Sequence, residues 1–287
     1  MILSTKTKVS LAGLAYRFIA AGRRLAGTKD QAAVRRGGFT WQLDLDEGID
    51  FSIYLLGAFE RSTVQTLQIL VHPGDVVFDI GANIGAHTLG LARSVGATGR
   101  VFAIEPTDFA FRKLNRNLDL NPELRARTFT QQIFLAAEPS AARKPEIYAS
   151  WPLDGSNRVH PKHRGRLAST QAATVDTLDH FAERQNLARL DLIKLDVDGH
   201  ELPVLQGARN VLSKFRPILV MEMSPYIHAE HQHDFADLVA LLHDAGYTLQ
   251  DAARRKPLPL DAQALEKIIP DGASINVIAN PAGKPLR

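Results

Sequence analysis

Val76-Val77-Phe78-Asp79-Ile80-Gly81-Ala82-Asn83-Ile84-Gly85 is a short run of β-branched and aromatic residues that breaks into a glycine loop. His72-Pro73-Gly74-Asp75, just before it, reads as a turn, because proline presets one dihedral and glycine tolerates the other. An apolar run without alternation, bounded by turn residues, suits a strand buried on both faces of a parallel sheet. A helix is expected after the loop, from about Ala86 to Val95. Ligands of open parallel sheets bind at the carboxyl ends of the strands, and glycine there lets a ligand approach the backbone closely.

The chain alternates outward from this point. Strands are expected at Val101–Glu105, Thr128–Ala136, Leu190–Asp196 and Ile218–Glu222, with Tyr247–Gln250 and Ile275–Ala279 as the last two. Between them lie helical patterns at Phe109–Leu120, Glu201–Lys214 and Phe235–Ala245. Before the quoted stretch, Phe39–Leu45 reads as a strand region, followed by Ile53–Leu56 and Glu60, and Thr63–Leu70 reads as helix. Strand–helix alternation predicts an α/β domain with a mostly parallel sheet and helices on both faces. The domain is expected over 38–280, with a basic helical extension at 1–37 and a loose tail at 281–287.

The loop discriminates between nucleoside ligands. A dinucleotide fingerprint needs Gly-x-Gly-x-x-Gly, which brings the pyrophosphate to the helix N-terminus. Counting from Gly81, its second and third glycine positions hold Asn83 and Ala86, so an NAD(P) oxidoreductase is the weaker alternative. The pattern acid-x-Gly-x-Gly/Asn-x-Gly is met by Asp79, Gly81, Asn83 and Gly85, and it describes a loop for S-adenosylmethionine (SAM). Asparagine tolerates positive φ better than most residues with a side chain. Glu105 ends the next strand, at the spacing of an acid that grips ribose hydroxyls.

Composition excludes several classes. The 287 residues hold no cysteine, so thiolate metal sites and disulfides are absent, and a cytoplasmic location is expected. A net charge of +3 is too small to imply a nucleic-acid partner. No apolar run reaches the length of a membrane span. The first stretch differs, because Lys6, Lys8, Arg17, Arg23, Arg24 and Lys29 all precede the first acid, Asp30. Leu11, Leu14, Ala15, Phe18, Ala21 and Leu25 recur at helical spacing, giving a basic amphipathic helix. Arg17 interrupts the apolar stretch, so a signal peptide is not expected. The pattern fits both a helix packed on the domain or pairing subunits and one in peripheral contact with an anionic membrane.

Several blocks together resemble the FkbM-type family of class I SAM-dependent methyltransferases, over roughly Asp46 to Ala279. They are Phe59-Glu60 with His72–Gly85, Ile104-Glu105-Pro106 with Leu114, Asn117 and Asn121, Val175–Asp179, and Ile193–Glu201 followed by Leu205–Ala208. The chain has Asp198 where the family pattern usually carries glutamate. The resemblance implies a Rossmann-like, seven-stranded sheet whose last strand is antiparallel. It implies SAM across the carboxyl edge, with Asp79, Gly81, Ala82, Asn83 and Gly85 at its methionine end and Glu105 on its ribose. Ala136 and Ala137 are expected near the adenine, and Glu60 near the amino group. The implied reaction is O-methylation of a small-molecule or glycan acceptor, with N-methylation as the alternative.

A hydroxyl acceptor must lose a proton, which calls for a general base. Asp196, at the end of the fourth parallel strand, is the first candidate, and it also fits a helix cap, as does Glu201. His200 is the second candidate base, and Lys194 suits a developing alkoxide. Strand alternation puts Lys194 and Asp196 on one face and turns Leu195 away. His228, His231 and His233, with Asp196, Asp198 and Glu222, match no standard ligand spacing, so no metal is expected. Glu222, which ends the fifth strand, is a candidate for the acceptor pocket. The segment from Arg143 to Arg166 holds Lys144, Trp151, Asn157, Arg158, His160, Lys162, His163 and Arg164. It fits both an anion-binding acceptor loop and a solvated surface loop.

Overall fold

The computed structural model describes residues 5–144, 146–154, 159, 165–230 and 234–286. The N-terminal part comprises α1 (Thr5–Leu25), the hairpin β1 (Gln31–Arg36) and β2 (Phe39–Asp44), then α2 (Gly48–Leu56) and α3 (Arg61–Leu70). The alternating part runs β3 (Val76–Ile80), α4 (Thr88–Ser94), β4 (Arg100–Ile104), α5 (Asp108–Asp119), α6 (Pro122–Arg125), β5 (Thr128–Gln131) and β6 (Ile133–Leu135). An excursion follows with β7 (Glu146–Ser150), β8 (Arg166–Ser169), β9 (Thr174–Asp176) and α7 (Leu178–Arg184). The remainder is β10 (Leu192–Leu195), α8 (Glu201–Gln206), α9 (Arg209–Phe215), β11 (Ile218–Met223), α10 (Pro225–Glu230), α11 (Phe235–Asp244), β12 (Tyr247–Asp251), β13 (Pro257–Leu258), α12 (Ala262–Ile268) and β14 (Ile275–Pro281).

The central sheet has the order β13-β12-β14-β11-β10-β3-β4-β5. Strands β11, β10, β3, β4 and β5 pair in parallel, and β14 is inserted antiparallel between β11 and β12. Seven strands were expected; the eighth is the two-residue edge strand β13. Register brings the carboxyl ends level, with Lys194 opposite Asp79 and Ile80 opposite Ile104. Asp79, Glu105 and Asp196, far apart in sequence, therefore meet at one edge.

Alternation along β3 sends Val77 and Phe78 into separate apolar clusters on the two faces. Phe78, Phe102 and Phe181 pack with ring centroids 5.4–5.9 Å apart. Such pairs contribute roughly 0.5–1.5 kcal/mol each beyond area burial. This packing gives the loop after β3 a rigid base.

Four local expectations are corrected. Ile53–Leu56 lies in helix α2, not in an extended piece: Ile49 and Ile53, four residues apart, are buried, and Gly57 at φ 79° caps the turn by donating to the Ile53 carbonyl. Thr128–Ala136 breaks at Gln132, after which β6 leaves the main sheet and pairs with β9. Glu201–Lys214 is interrupted at Gly207, whose backbone packs so tightly on the Ala136 carbonyl that a Cβ there would lie 2.3 Å from it. On α1, Tyr16 and Ala20 are the buried residues, with Tyr16 edge-on to Phe51 at 5.8 Å, while Leu11, Leu14, Phe18 and Leu25 face outward. The terminal segment is also tied down: Ala282 O accepts from Arg216 Nη2 at 3.1 Å, and Lys284 Nζ donates to Arg216 O at 3.0 Å.

Candidate active site

Two cavities meet at the carboxyl edge and share Gly81, Asn83, Asp196 and Asp198. The larger, about 620 Å³, is walled by the β3 loop, by Lys194 and Glu222, and by Phe59, Glu60 and His87. The smaller, about 50 Å³, is a slot between Ile104, Pro106, Phe134, Leu135 and Val197, with Glu105 and His200 at its polar side. The slot is mostly apolar with one polar side and opens beside the larger cavity, whose volume is in the range of small-molecule sites.

The loop is held by its own backbone. Gly81 N and Ala82 N donate to the Ile104 carbonyl at 2.9 and 3.0 Å. Asn83 adopts φ 47°, and its side-chain oxygen accepts from Ile84 N at 2.9 Å, which stabilises that left-handed turn. Gly81, Ala82 and Asn83 line the larger cavity. Asp79 and Gly85 line neither. Asp79 is fully buried and accepts from Thr88 Oγ1 at 2.6 Å, and Gly85 at φ 92° packs beside Leu114. Both shape the loop from beneath.

Glu105 ties the loop to the slot. One carboxylate oxygen accepts from Asn83 N at 2.8 Å, and the other accepts from Thr107 N and Oγ1. Burial raises its pKa, and these hydrogen bonds offset part of that rise. Glu105→Ala removes a charged acceptor and orphans a loop amide, each worth about 1–3 kcal/mol. Calorimetric titration is expected to show S-adenosylhomocysteine binding weakened at least tenfold; an affinity within twofold of wild type would remove Glu105 from the site.

Lys194 and Asp196 share a face, as expected, with Lys194 Nζ 3.6 Å from Asp196 Oδ2 and Leu195 buried in the core. Lys194 Nζ also donates to the Gly81 carbonyl at 2.9 Å and lies 3.5 Å from Asp79 Oδ1. Burial opposes its charge, but Asp196, Asp79 and Glu60 together outweigh burial and raise its pKa. Lys194 is thus a fixed cation between the loop and Asp196. Carboxylate oxygens of Asp196, Asp198 and Glu222 lie within 4.8 Å of one another. Removal from water, then the charge of Asp196, pushes both Asp198 and Glu222 well above the usual carboxylate range. Such a cluster favours a cationic ligand, and the sulfonium and ammonium of SAM are cations.

The remaining sequence candidates are redistributed. His200 lines only the slot, with its ring edge-on to Phe134 at 5.7 Å, so it stands away from the larger cavity. Glu201 is the cap of its own loop, accepting from Val197 N at 3.1 Å and Gly199 N at 3.4 Å, and His228 packs beside it at 3.3 Å. His228 is thus paired with Glu201, the described metal-capable cluster consists of Asp196, Asp198 and Glu222, and His231 and His233 lie outside the described residues. Glu60 faces the larger cavity and accepts from Thr63 Oγ1 and Asn276 Nδ2 at 3.0 and 3.2 Å. Phe134 and Leu135 line the slot in place of Ala136 and Ala137. From the Arg143–Arg166 segment Trp151 reaches the larger cavity, while Arg143 donates to the Gln171 and Ala173 carbonyls and Arg166 pairs with Glu47. Asn157, Arg158, His160, Lys162, His163 and Arg164 lie outside the described residues.

Sequence reading missed His87. It is buried and lines the larger cavity, and among the described residues neither ring nitrogen has a hydrogen-bond partner. Its position two residues beyond Gly85, at the mouth of the helix, was the available signal. Burial first, then the charge of Lys194, lowers its pKa to about 3. In the unfolded chain it protonates near its ordinary value of about 6.5. Its contribution to stability is therefore full above that pH and is lost as pH falls toward 3. In urea unfolding, wild type is expected to lose about 3 kcal/mol more than His87→Gln between pH 7 and pH 4. Equal losses would contradict the neutral, buried imidazole.

A family profile described as the methyltransferase FkbM domain matches residues 79–249, more than half of the chain. The chain belongs to the FkbM methyltransferase family. Those residues form a SAM-dependent, Rossmann-like methyltransferase domain. Among curated relatives of this FkbM-family chain is the hexuronic acid methyltransferase AglP of Haloferax volcanii. The two are 28% identical over 167 residues, which span 56% of this chain and 61% of that one. The 31-O-demethyl-FK506 methyltransferase FkbM of Streptomyces tacrolimicus is 29% identical over 213 residues, 66% of this chain and 77% of that one. A solved SAM-dependent O-methyltransferase from Thermotoga maritima is 13% identical with a TM-score of 0.43, covering 92% of this chain and 82% of that one.

Proposed function

We propose that this FkbM-family protein transfers the methyl group of SAM to a hydroxyl on a sugar, glycan or related small molecule, in the cytoplasm. The observation that carries the proposal is Asp196: a half-buried carboxylate at the meeting point of the two cavities, fixed beside a charged Lys194. SAM, when bound, supplies a methyl already activated on sulfur. The protein's share is positioning and proton removal. The acceptor oxygen gains the methyl as its O–H proton passes to Asp196, and the S–CH₃ bond breaks to leave S-adenosylhomocysteine. Within the cluster of Asp196, Asp198 and Glu222, the accepting role is given to Asp196 because it is the member paired with Lys194, at 3.6 Å. Gly81, Ala82, Asn83 and Glu60 take the methionine end, Glu105 the ribose, and the slot at Phe134 the adenine. The named substrates of the two curated relatives, a hexuronic acid and the 31-O position of FK506, support an oxygen acceptor in a small molecule.

The test is a SAM-dependent assay on purified protein across hydroxylated acceptors, led by uronic acids and other sugars, with amines in parallel. Methyl ether formation with S-adenosylhomocysteine release is the expected result. Turnover on amines alone moves the acceptor to nitrogen, and absence of SAM binding by folded, ligand-free protein overturns the proposal.

A further inference from the structure

Helix α1 has two apolar stripes, and among the described residues only one is covered. Tyr16 and Ala20 are buried, with Ala12 on the same side lining the larger cavity. On the opposite side Leu11, Leu14, Phe18 and Leu25 are 59, 56, 75 and 91% exposed. Their intervals of three, four and seven residues place them in one row along the helix. The inner stripe already anchors the helix through Tyr16 against Phe51, so the outer row contributes nothing to holding it in place. Water around such a row has a free-energy cost that a covering partner removes.

Charge indicates which partner. Residues 1–38 hold eight Lys and Arg and one acid, Asp30, whereas the other 249 residues are net negative by four. Arg17 and Arg24, one heptad apart, flank the outer row, and Lys29 and Arg35 are exposed nearby in sequence. Arg24 faces Asp30, the one acid of residues 1–38, at 3.6 Å. A two-fold copy of the chain packed through this row sets one basic segment against another. An anionic lipid surface matches both features at once, with acyl chains for the row and headgroups for the flanks. None of the described helices is long and apolar enough to cross a membrane, so the contact is with the surface.

We propose that α1 docks the protein on anionic bilayers, with Leu11, Leu14, Phe18 and Leu25 set into the headgroup boundary. Because Ala12 lies on the inner side of the same helix, docking holds the larger cavity one helix diameter, roughly 10 Å, from the membrane surface.

The experiment is co-sedimentation of the full chain with vesicles of phosphatidylcholine alone or mixed with phosphatidylglycerol. Binding is expected to the mixed vesicles, weakening as salt rises from about 0.1 M to about 1 M. Leu14→Glu/Phe18→Glu is expected to lower partitioning at least tenfold while leaving circular dichroism and S-adenosylhomocysteine affinity unchanged, since both side chains are exposed. Wild type remaining in the supernatant, or the double variant sedimenting like wild type, overturns the proposal. So does a stable oligomer that the double variant dissociates while wild type ignores vesicles, because a second copy then covers the row.

Discussion

Asp196→Asn is expected to lower kcat by about 10²–10⁴-fold, the usual contribution of a positioned base. The amide keeps the shape of the side chain but cannot take the acceptor proton. Its backbone N still donates to the Ile80 carbonyl at 3.1 Å, so the join between β10 and the β3 loop survives. Calorimetry should accordingly show S-adenosylhomocysteine affinity within a few-fold of wild type. The combination matters: kcat falling with affinity intact marks a group acting on the acceptor, whereas both falling together marks a residue that shapes the cofactor cavity. Wild-type turnover in Asp196→Asn sinks the assignment and turns attention to the other polar groups that line the same cavity.

Gly81→Ala is expected to abolish cofactor binding. Gly81 has φ 75°, and a Cβ built there lies 1.8 Å from the Asp196 carbonyl oxygen and 3.3 Å from Val197 Cγ1. The obstacle is backbone, so no side-chain rotation relieves it. Relief requires the β3 loop to part from the end of β10, which breaks the anchors of Gly81 N and Ala82 N on Ile104 and the Lys194 bond to Gly81 O. Affinity for S-adenosylhomocysteine should fall at least 100-fold, with a stability loss of several kcal/mol from overpacking and strain, about 3 or more. Gly246→Ala separates the causes. Gly246 also has positive φ, 71°, but its Cβ meets nothing within 4 Å. It should cost only the left-handed strain, roughly 1–2 kcal/mol, and leave binding unchanged. Equal effects at both positions would show that conformation, not collision, makes Gly81 necessary.

The conformation of the glycine loop was legible because its information is local. Asp79, Gly81, Asn83 and Gly85 announce a strand ending in positive-φ turns, and the structure has φ of 75, 47 and 92° at the last three. Glu105 was legible from its distance along the chain, although its bond to Asn83 N was not. Helix α2 was misread because Ile53 and Tyr54 suit a strand, whereas the decisive signals are Ile49 and Ile53 at helical spacing and the left-handed Gly57 at the C-terminus, and Asp50 then ties the helix to Lys113 of α5. Which face of α1 is covered was left open by the sequence. Two apolar stripes share the helix, and only the presence of Phe51 decides which one is covered.

By itself, then, the sequence determined the strand–helix alternation, the glycine loop after β3, the acid at the end of the next strand and the shared face of Lys194 and Asp196. These follow from apolar periodicity and from the few residues that accept positive φ, both properties of neighbours along the chain. The tertiary structure alone decided that His200 turns to the slot and not to the larger cavity, that Glu201 caps a loop, that His87 is a buried neutral wall, and that Asp79 serves the loop from beneath. Each of those roles depends on burial and on which charge lies within a few ångströms. Strand register and packing set these quantities between residues as far apart as Asp79 and Lys194.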